Sequence, residues 1–190
     1  MFDQSRVLKE LKDISKDVQT GVKVVLQNNS LQKLTGYFPG PKDTPYEDGV
    51  FQVDIALDEN YPFTPPKMRF VTKVWHPNVS SQNGAICLDI LKDQWSPALT
   101  LRTALLSLQS LLASPQPNDP QDGVVANQFL SSYSVFAAQA KKWTDAYASP
   151  SKAESKVLFI MEMGFDRESA VKALEETGYD ENAAVERLLR

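Results

Sequence analysis

The chain has a single cysteine, Cys87, and a single histidine, His76, both in the stretch 73–99, which shows no sustained hydrophobic period. The local sequence runs Trp75-His76-Pro77-Asn78 to Gly84-Ala85-Ile86-Cys87-Leu88-Asp89. A thiol here has two readings: a small buried hydrophobe, or a nucleophile. Cys87 follows Gly84 in a non-repetitive segment between a strand and a helix, where functional loops concentrate. No second histidine is present to act as its base, which disfavours a thiol protease. Asn78 is near enough along the chain to fold over the sulfur. One cysteine and one histidine exclude an internal disulfide and leave a structural zinc site without its usual ligands, so no metal is expected. No GxxxxGK loop is present, so nucleotide binding is not expected.

The elements that must position this stretch are legible from period and punctuation. Residues 2–18 read as an amphipathic helix with Val7, Leu11, Ile14 and Val18 on one face. Its Arg6, Lys9, Lys12 and Lys16 form either a basic face or a plainly solvated side. Four segments rich in Val, Ile, Leu and Phe follow, at 22–26, 31–38, 50–57 and 68–72. The turn clusters between them predict an antiparallel meander. The prolines of Tyr61-Pro62-Phe63-Thr64-Pro65-Pro66-Lys67 make a fixed irregular turn. Helical pattern resumes after Thr100, a candidate N-cap, with Leu101, Leu105, Leu108 and Leu112 on one face. Two further helices are predicted over 122–130 and 134–147, the second with Val135, Phe136, Ala140 and Trp143 inward.

The class is α/β (α+β): a four-stranded antiparallel sheet flanked by helices, then a small three-helix bundle. Ala148-Ser149-Pro150-Ser151 reads as a boundary. The predicted division is 1–149 for the main domain, 150–153 for a linker and 154–190 for the bundle. Asp166 and Asp180 are N-cap candidates in the bundle. Its apolar anchors are Leu158, Ile160, Met161, Val171, Leu174, Val185 and Leu188.

The 190 residues carry 20 Lys and Arg against 24 Asp and Glu, a formal charge of −4. This balance disfavours nucleic-acid binding through phosphates. The first 17 residues mix charges with apolar side chains and do not read as a secretory signal. No apolar run reaches the ~18 residues of a membrane helix, so no membrane contact is expected. A free thiol without an export signal points to cytoplasm and nucleus.

Several linked motifs together resemble the catalytic core of ubiquitin-conjugating enzymes. They are Y-P-F-T-P-P-K, H-P-N, G-A-I-C-L-D-I-L and Q-W-S-P-A-L-T-L, in that order. The tail is similar to a ubiquitin-associated (UBA) domain, with Met163-Gly164-Phe165 and a terminal Leu188-Leu189. The resemblance implies that Cys87 accepts ubiquitin as a thioester from the activating enzyme and passes it to a lysine of the acceptor. It also implies building of lysine-linked polyubiquitin chains for proteasomal degradation. Partners would be ubiquitin, its activating enzyme, ligases and substrate proteins, met by a monomer. No cofactor is implied, since ATP is consumed upstream by the activating enzyme.

By similarity, Asn78 donates to the oxyanion of aminolysis, or else holds its loop in shape. Asp119 orients the attacking amine and receives its proton. His76 and Pro77 support the site, while Ser80 and Asp89 are candidates for its lip. Arg6, Lys9, Phe63, Pro97 and Ala98 are the residues implied to dock activating enzyme and ligases, with a core-packed Phe63 as the alternative. Met163, Gly164, Phe165, Leu188 and Leu189 are implied to bind ubiquitin. Nine positions separate Asn78 from Cys87, where many members have eight. The extra residue falls within 79–83 and is expected to bulge outward. A competing class is a non-catalytic ubiquitin receptor acting through the UBA domain alone.

Overall fold

A computed structural model describes residues 2–150, 152–177 and 180–189. The chain divides into two compact units, 1–149 and 150–190.

The first unit begins with α1 (Gln4–Lys16), capped by Asp3, whose carboxylate accepts from the Arg6 N–H at 3.0 Å. Val7 and Ile14 are buried and Leu11 packs against the core. Val18, expected on the same face, is 83% exposed. The helix stops two residues earlier, at Lys16, and Asp17 turns aside to bind Arg102 and Thr20. Glu10, a charged residue of the same helix, is buried.

Strands β1 (Lys23–Gln27), β2 (Ser30–Pro39), β3 (Val50–Ala56) and β4 (Lys67–Phe70) form the predicted antiparallel meander in sequence order. Leu34 pairs with Ile55, and Val53 with Phe70. Along β3 the side chains of Phe51, Val53 and Ile55 are buried while those between are half-exposed, the period of a sheet covered on one face. α2 (Leu101–Ala113) lies against that sheet, with Leu101, Leu105, Leu108 and Leu112 fully buried. Gly36 admits it: a Cβ there would meet Leu105 at 2.8 Å. Thr100 caps α2 through the Thr103 N–H, as its sequence predicts.

α3 (Gly123–Ser131) and α4 (Tyr133–Trp143) follow, and α4 runs into a π-helical turn at Thr144–Ala148. Phe136 and Ala140 face inward, whereas Val135 is half-exposed rather than core. Trp143 stacks at a tilt on Trp75, with ring centroids 5.1 Å apart. Trp75 also donates to Gln128 at 2.7 Å, and Tyr46 donates to the Trp75 carbonyl at 2.7 Å. These contacts fasten the non-repetitive 73–99 stretch to α3 and α4.

The second unit holds α5 (Lys152–Glu162), α6 (Arg167–Glu176) and α7 (Glu181–Leu188). Asp166 and Asp180 cap α6 and α7 as predicted. Its core is Val157, Ile160, Ala170, Ala173, Leu174 and Ala184. Val157 takes the place expected for Leu158, a one-residue shift of the α5 face. α5 begins at Lys152, within the predicted 150–153 linker, of which Ser151 lies outside the described residues.

Candidate active site

Residues 76–87 fold back on themselves. Val79 bridges both His76 and Ile86, and Ala85 bridges Arg69 of β4. Between them a turn closes through Ser80 N–H to Ala85 O (2.8 Å) and Gly84 N–H to Ser80 O (3.0 Å), leaving Gln82 and Asn83 exposed at the tip. The tip of this turn lies within the 79–83 span expected to hold the extra residue. Gly84 is required here: its φ is +75°, and a Cβ would lie 2.1 Å from the Phe70 carbonyl oxygen.

The Cys87 N–H donates to the Asn78 carbonyl at 2.9 Å, which sets the sulfur beside the His76-Pro77-Asn78 turn. Cys87 is half-buried and opens onto a cleft of about 710 Å³, lined among others by Asn78, Asp89, Lys92, Gln116 and Asp119. Its thiol donates to Asp119 at 3.6 Å and receives the Lys92 ammonium at 3.9 Å. Burial pushes the thiol pKa up; Lys92 opposes this and Asp119 adds to it. The sulfur thus lies between Asp119 and Lys92, which act on its pKa in opposite directions. Sequence reasoning missed Lys92, because no motif position marks it and only the 3₁₀ turn at Asp89–Leu91 brings it back toward the sulfur.

His76 is fully buried. Its Nε2 donates to the Leu111 carbonyl at 2.8 Å, and its Nδ1 accepts the Asn78 N–H at 3.0 Å. Both ring nitrogens are used, in the neutral form. Burial lowers its pKa to about 4, against which the Leu111 bond works only in part. This geometry suits a support and leaves no lone pair for a base. The Pro77 carbonyl accepts from the Gln121 and Asp122 N–H groups at 2.9 and 3.0 Å.

Asn78 is buried, and its amide is fully committed. Nδ2 donates to the Gln116 and Asp119 carbonyls, both at 2.9 Å, and Oδ1 accepts the Gln116 N–H at 2.8 Å. Of the two roles considered, this geometry matches holding the loop; an oxyanion could recruit the amide only by displacing a backbone carbonyl. The loop so held carries Asp119, which is exposed beside Cys87.

Asp89 lines the same cleft, and its carboxylate accepts from the neighbouring Ile90 N–H at 2.7 Å. Ser80 does not reach it. Its hydroxyl accepts from Gln82 and Asn83 within the turn, and it borders a separate hollow of about 240 Å³ with Arg69 and Thr72. Among the described residues, no group of three or more His, Cys, Asp or Glu is arranged to hold a metal, and no helix is long and apolar enough to cross a membrane.

The suggested docking residues separate into two kinds. Phe63 is 79% exposed, not folded into the core, and Lys9, Pro97 and Ala98 are also exposed. Arg6 is engaged internally: it pairs with Glu10, and its Nη2 donates to the Pro97 and Leu99 carbonyls at 3.0 and 2.8 Å. In the second unit Met163 and Leu189 are exposed, and Gly164 takes φ +98° between Met163 and Phe165. Phe165 and Leu188 are half-buried against the core, while Phe159, not singled out from sequence, is exposed on α5.

A family profile described as "Ubiquitin-conjugating enzyme" matches residues 6–144, and one described as "UBA/TS-N domain" matches 154–188. The chain is 54% identical over 189 residues to ubiquitin-conjugating enzyme E2 27 of Arabidopsis thaliana, covering 99% of this chain and 98% of the relative. It is 48% identical over 191 residues to ubiquitin-conjugating enzyme E2 K of Homo sapiens, covering 97% and 96%. The solved E2 domain of a Toxoplasma gondii ubiquitin conjugating enzyme superposes with a TM-score of 0.73 at 53% identity, over 76% of this chain and 98% of that one. The chain belongs to the ubiquitin-conjugating enzyme family and carries a C-terminal UBA domain. The general activity of that family is transfer of ubiquitin through a cysteine thioester.

Proposed function

We propose that Cys87 is the carrier, and that the chain extends lysine-linked polyubiquitin destined for the proteasome. The observation that carries this reading is the half-buried thiol facing an open cleft of about 710 Å³ beside the 76–78 turn. In the first step the Cys87 sulfur attacks the carbonyl carbon of ubiquitin's thioester on the activating enzyme. A new S–C bond forms, the old one breaks, and the proton lost from Cys87 ends on the departing thiol. Exchange between thioesters is nearly balanced in energy and needs no histidine base. In the second step a neutral lysine amine attacks the same carbon. The N–C bond forms, Cys87 leaves as the thiolate, and Asp119 takes a proton from the amine.

Asn78 holds the 116–119 loop so that Asp119 stays beside the sulfur. His76 and Pro77 keep that turn in place, and Asp89 borders the cleft. Lys9, Phe63, Pro97 and Ala98 meet the activating enzyme and ligases, and substrate proteins approach the cleft. Met163, Gly164 and Leu189 present apolar contact to ubiquitin. The short connection keeps the UBA domain at high effective concentration near the core. The enzyme works as a monomer in cytoplasm and nucleus, without a cofactor of its own, with ATP used by the activating enzyme.

The test is incubation with activating enzyme, ubiquitin and ATP. An adduct released by thiol reductant is expected, with a reductant-resistant ester for Cys87→Ser and none for Cys87→Ala. Mass analysis of the chains then reads the linkage. A reductant-sensitive adduct that persists in Cys87→Ala would remove the reading, as would ubiquitin binding without any adduct.

A further inference from the structure

Glu10 lies on α1, yet it is only 5% exposed. Its carboxylate gathers donors from three separate segments. Arg6 donates from the preceding turn of α1, and the Tyr61 hydroxyl reaches its two oxygens at 2.8 and 3.0 Å. The Leu101 N–H, at the first residue of α2, donates at 2.7 Å. Thr100 caps the Thr103 N–H, so Glu10 satisfies a different one of the free N–H groups that open the helix and meets its positive end.

The bonds continue outward from this centre. Arg6 reaches the Pro97 and Leu99 carbonyls, and the Trp95 indole donates to the Pro62 carbonyl at 2.8 Å. Each tied segment carries an exposed residue: Lys9 on α1, Phe63 after Tyr61-Pro62, and Pro97-Ala98 before α2. A well-packed apolar residue would fill the same space without the desolvation cost of a buried charge. What the carboxylate adds is direction, because its bonds fix three chain segments relative to one another.

We propose that Glu10 is a positioning residue for partner recognition. It touches no partner; it sets the spacing of α1, the 61–66 turn and the 95–100 turn, so that Lys9, Phe63 and Pro97-Ala98 meet the activating enzyme as one preformed surface. Anchors held in place before binding lose less entropy on association. The proposal rests on the docking role given above to those exposed residues.

The experiment compares the full chain with Glu10→Gln, which keeps the shape and one acceptor oxygen but removes the charge. Charging kinetics are measured with activating enzyme at saturating ubiquitin and ATP, and discharge of the isolated thioester to free lysine is measured without a partner. The KM of charging is expected to rise about five- to tenfold, with kcat and discharge within about twofold of wild type. Tyr61→Phe removes the hydroxyl from the same carboxylate, is expected to raise KM in the same direction, and substitutes if Glu10→Gln does not fold. Phe63→Ala and Lys9→Ala report on the docking surface itself. If they raise KM while Glu10→Gln and Tyr61→Phe do not, the Glu10 proposal is overturned and the docking role stands. If they leave KM unchanged, the docking role falls and the proposal falls with it. A lower kcat or slower discharge at unchanged KM also overturns it, by showing a merely structural role.

Discussion

The backbone N–H of Cys87 donates to the carbonyl of Asn78 at 2.9 Å, while the side chain of that same Asn78 holds the Gln116 and Asp119 carbonyls. One buried asparagine therefore sets both the sulfur and the carboxylate beside it. Its main chain fixes the first and its amide fixes the second.

Replacing Asn78 with Ala leaves the Asp119 carbonyl and the Gln116 N–H without the bonds they make to it, and leaves the Gln116 carbonyl only the Asp119 N–H at 3.2 Å. Discharge of the thioester to free lysine is expected to fall by ~10² as Asp119 loses its fixed position, with faster hydrogen exchange at the Gln116 amide. A slowed discharge with unchanged exchange at Gln116 would assign Asn78 to the oxyanion and not to the loop.

The charges around Cys87 predict opposite shifts. Asp119→Asn removes a group that raises the thiol pKa, and Lys92→Met removes one that lowers it. The pH midpoint for alkylation by iodoacetamide is expected to move down in the first variant and up in the second. Equal midpoints in all three proteins would show that neither charge acts on the sulfur.

His76 makes the fold acid-sensitive. Its folded pKa, about 4, lies below the ordinary value of 6.5, so the unfolded chain binds the proton more readily. The neutral ring's contribution is fully present above pH 6.5 and is lost as pH falls through the folded value. The difference corresponds to ~3 kcal/mol over that window. Urea titrations of wild type and His76→Gln at pH 7.5 and 4 test this. The variant is less stable at pH 7.5, and the gap is expected to narrow at pH 4.

Gly84→Ala places a Cβ against the Phe70 carbonyl and forces a side chain into a positive φ. A loss of more than ~1 kcal/mol is expected from the backbone conformation alone, together with slower charging of Cys87. Wild-type stability in denaturant would contradict the close approach.

In the UBA domain, Met163→Glu and Leu189→Glu are expected to weaken ubiquitin binding by about tenfold or more while leaving the helical transition in place. Phe165→Ala is expected to lower the melting temperature of this unit, because Phe165 packs against its buried apolar core. Titration by NMR together with thermal melts separates the two effects.

The strands were legible because apolar runs broken by proline and glycine clusters have few other solutions, and Phe51, Val53 and Ile55 keep the period of two. The motif around Cys87 was legible because its residues lie close along the chain. Helix faces were less secure: Val157 replaces Leu158, and Val135 turns outward, since one step on a helix rotates a side chain by about 100°. Glu10 and Lys92 were not legible at all. Each takes its meaning from chain that is distant or folded back upon it: Tyr61 and Leu101 for the one, the thiol for the other. The occupied amide of Asn78 was hidden likewise, because its partners are main-chain atoms of a loop across the cleft.

The closed neck of the 80–84 turn, with Gln82 and Asn83 outside it, mechanically separates the tip from the sulfur. A dye or cross-linker attached through a cysteine introduced at position 82 would move with the protein and leave the Val79–Ile86 bridge intact. The turn thus offers a natural handle for watching ubiquitin arrive by fluorescence, with Cys87→Ser keeping the label off position 87 while retaining ubiquitin as an ester.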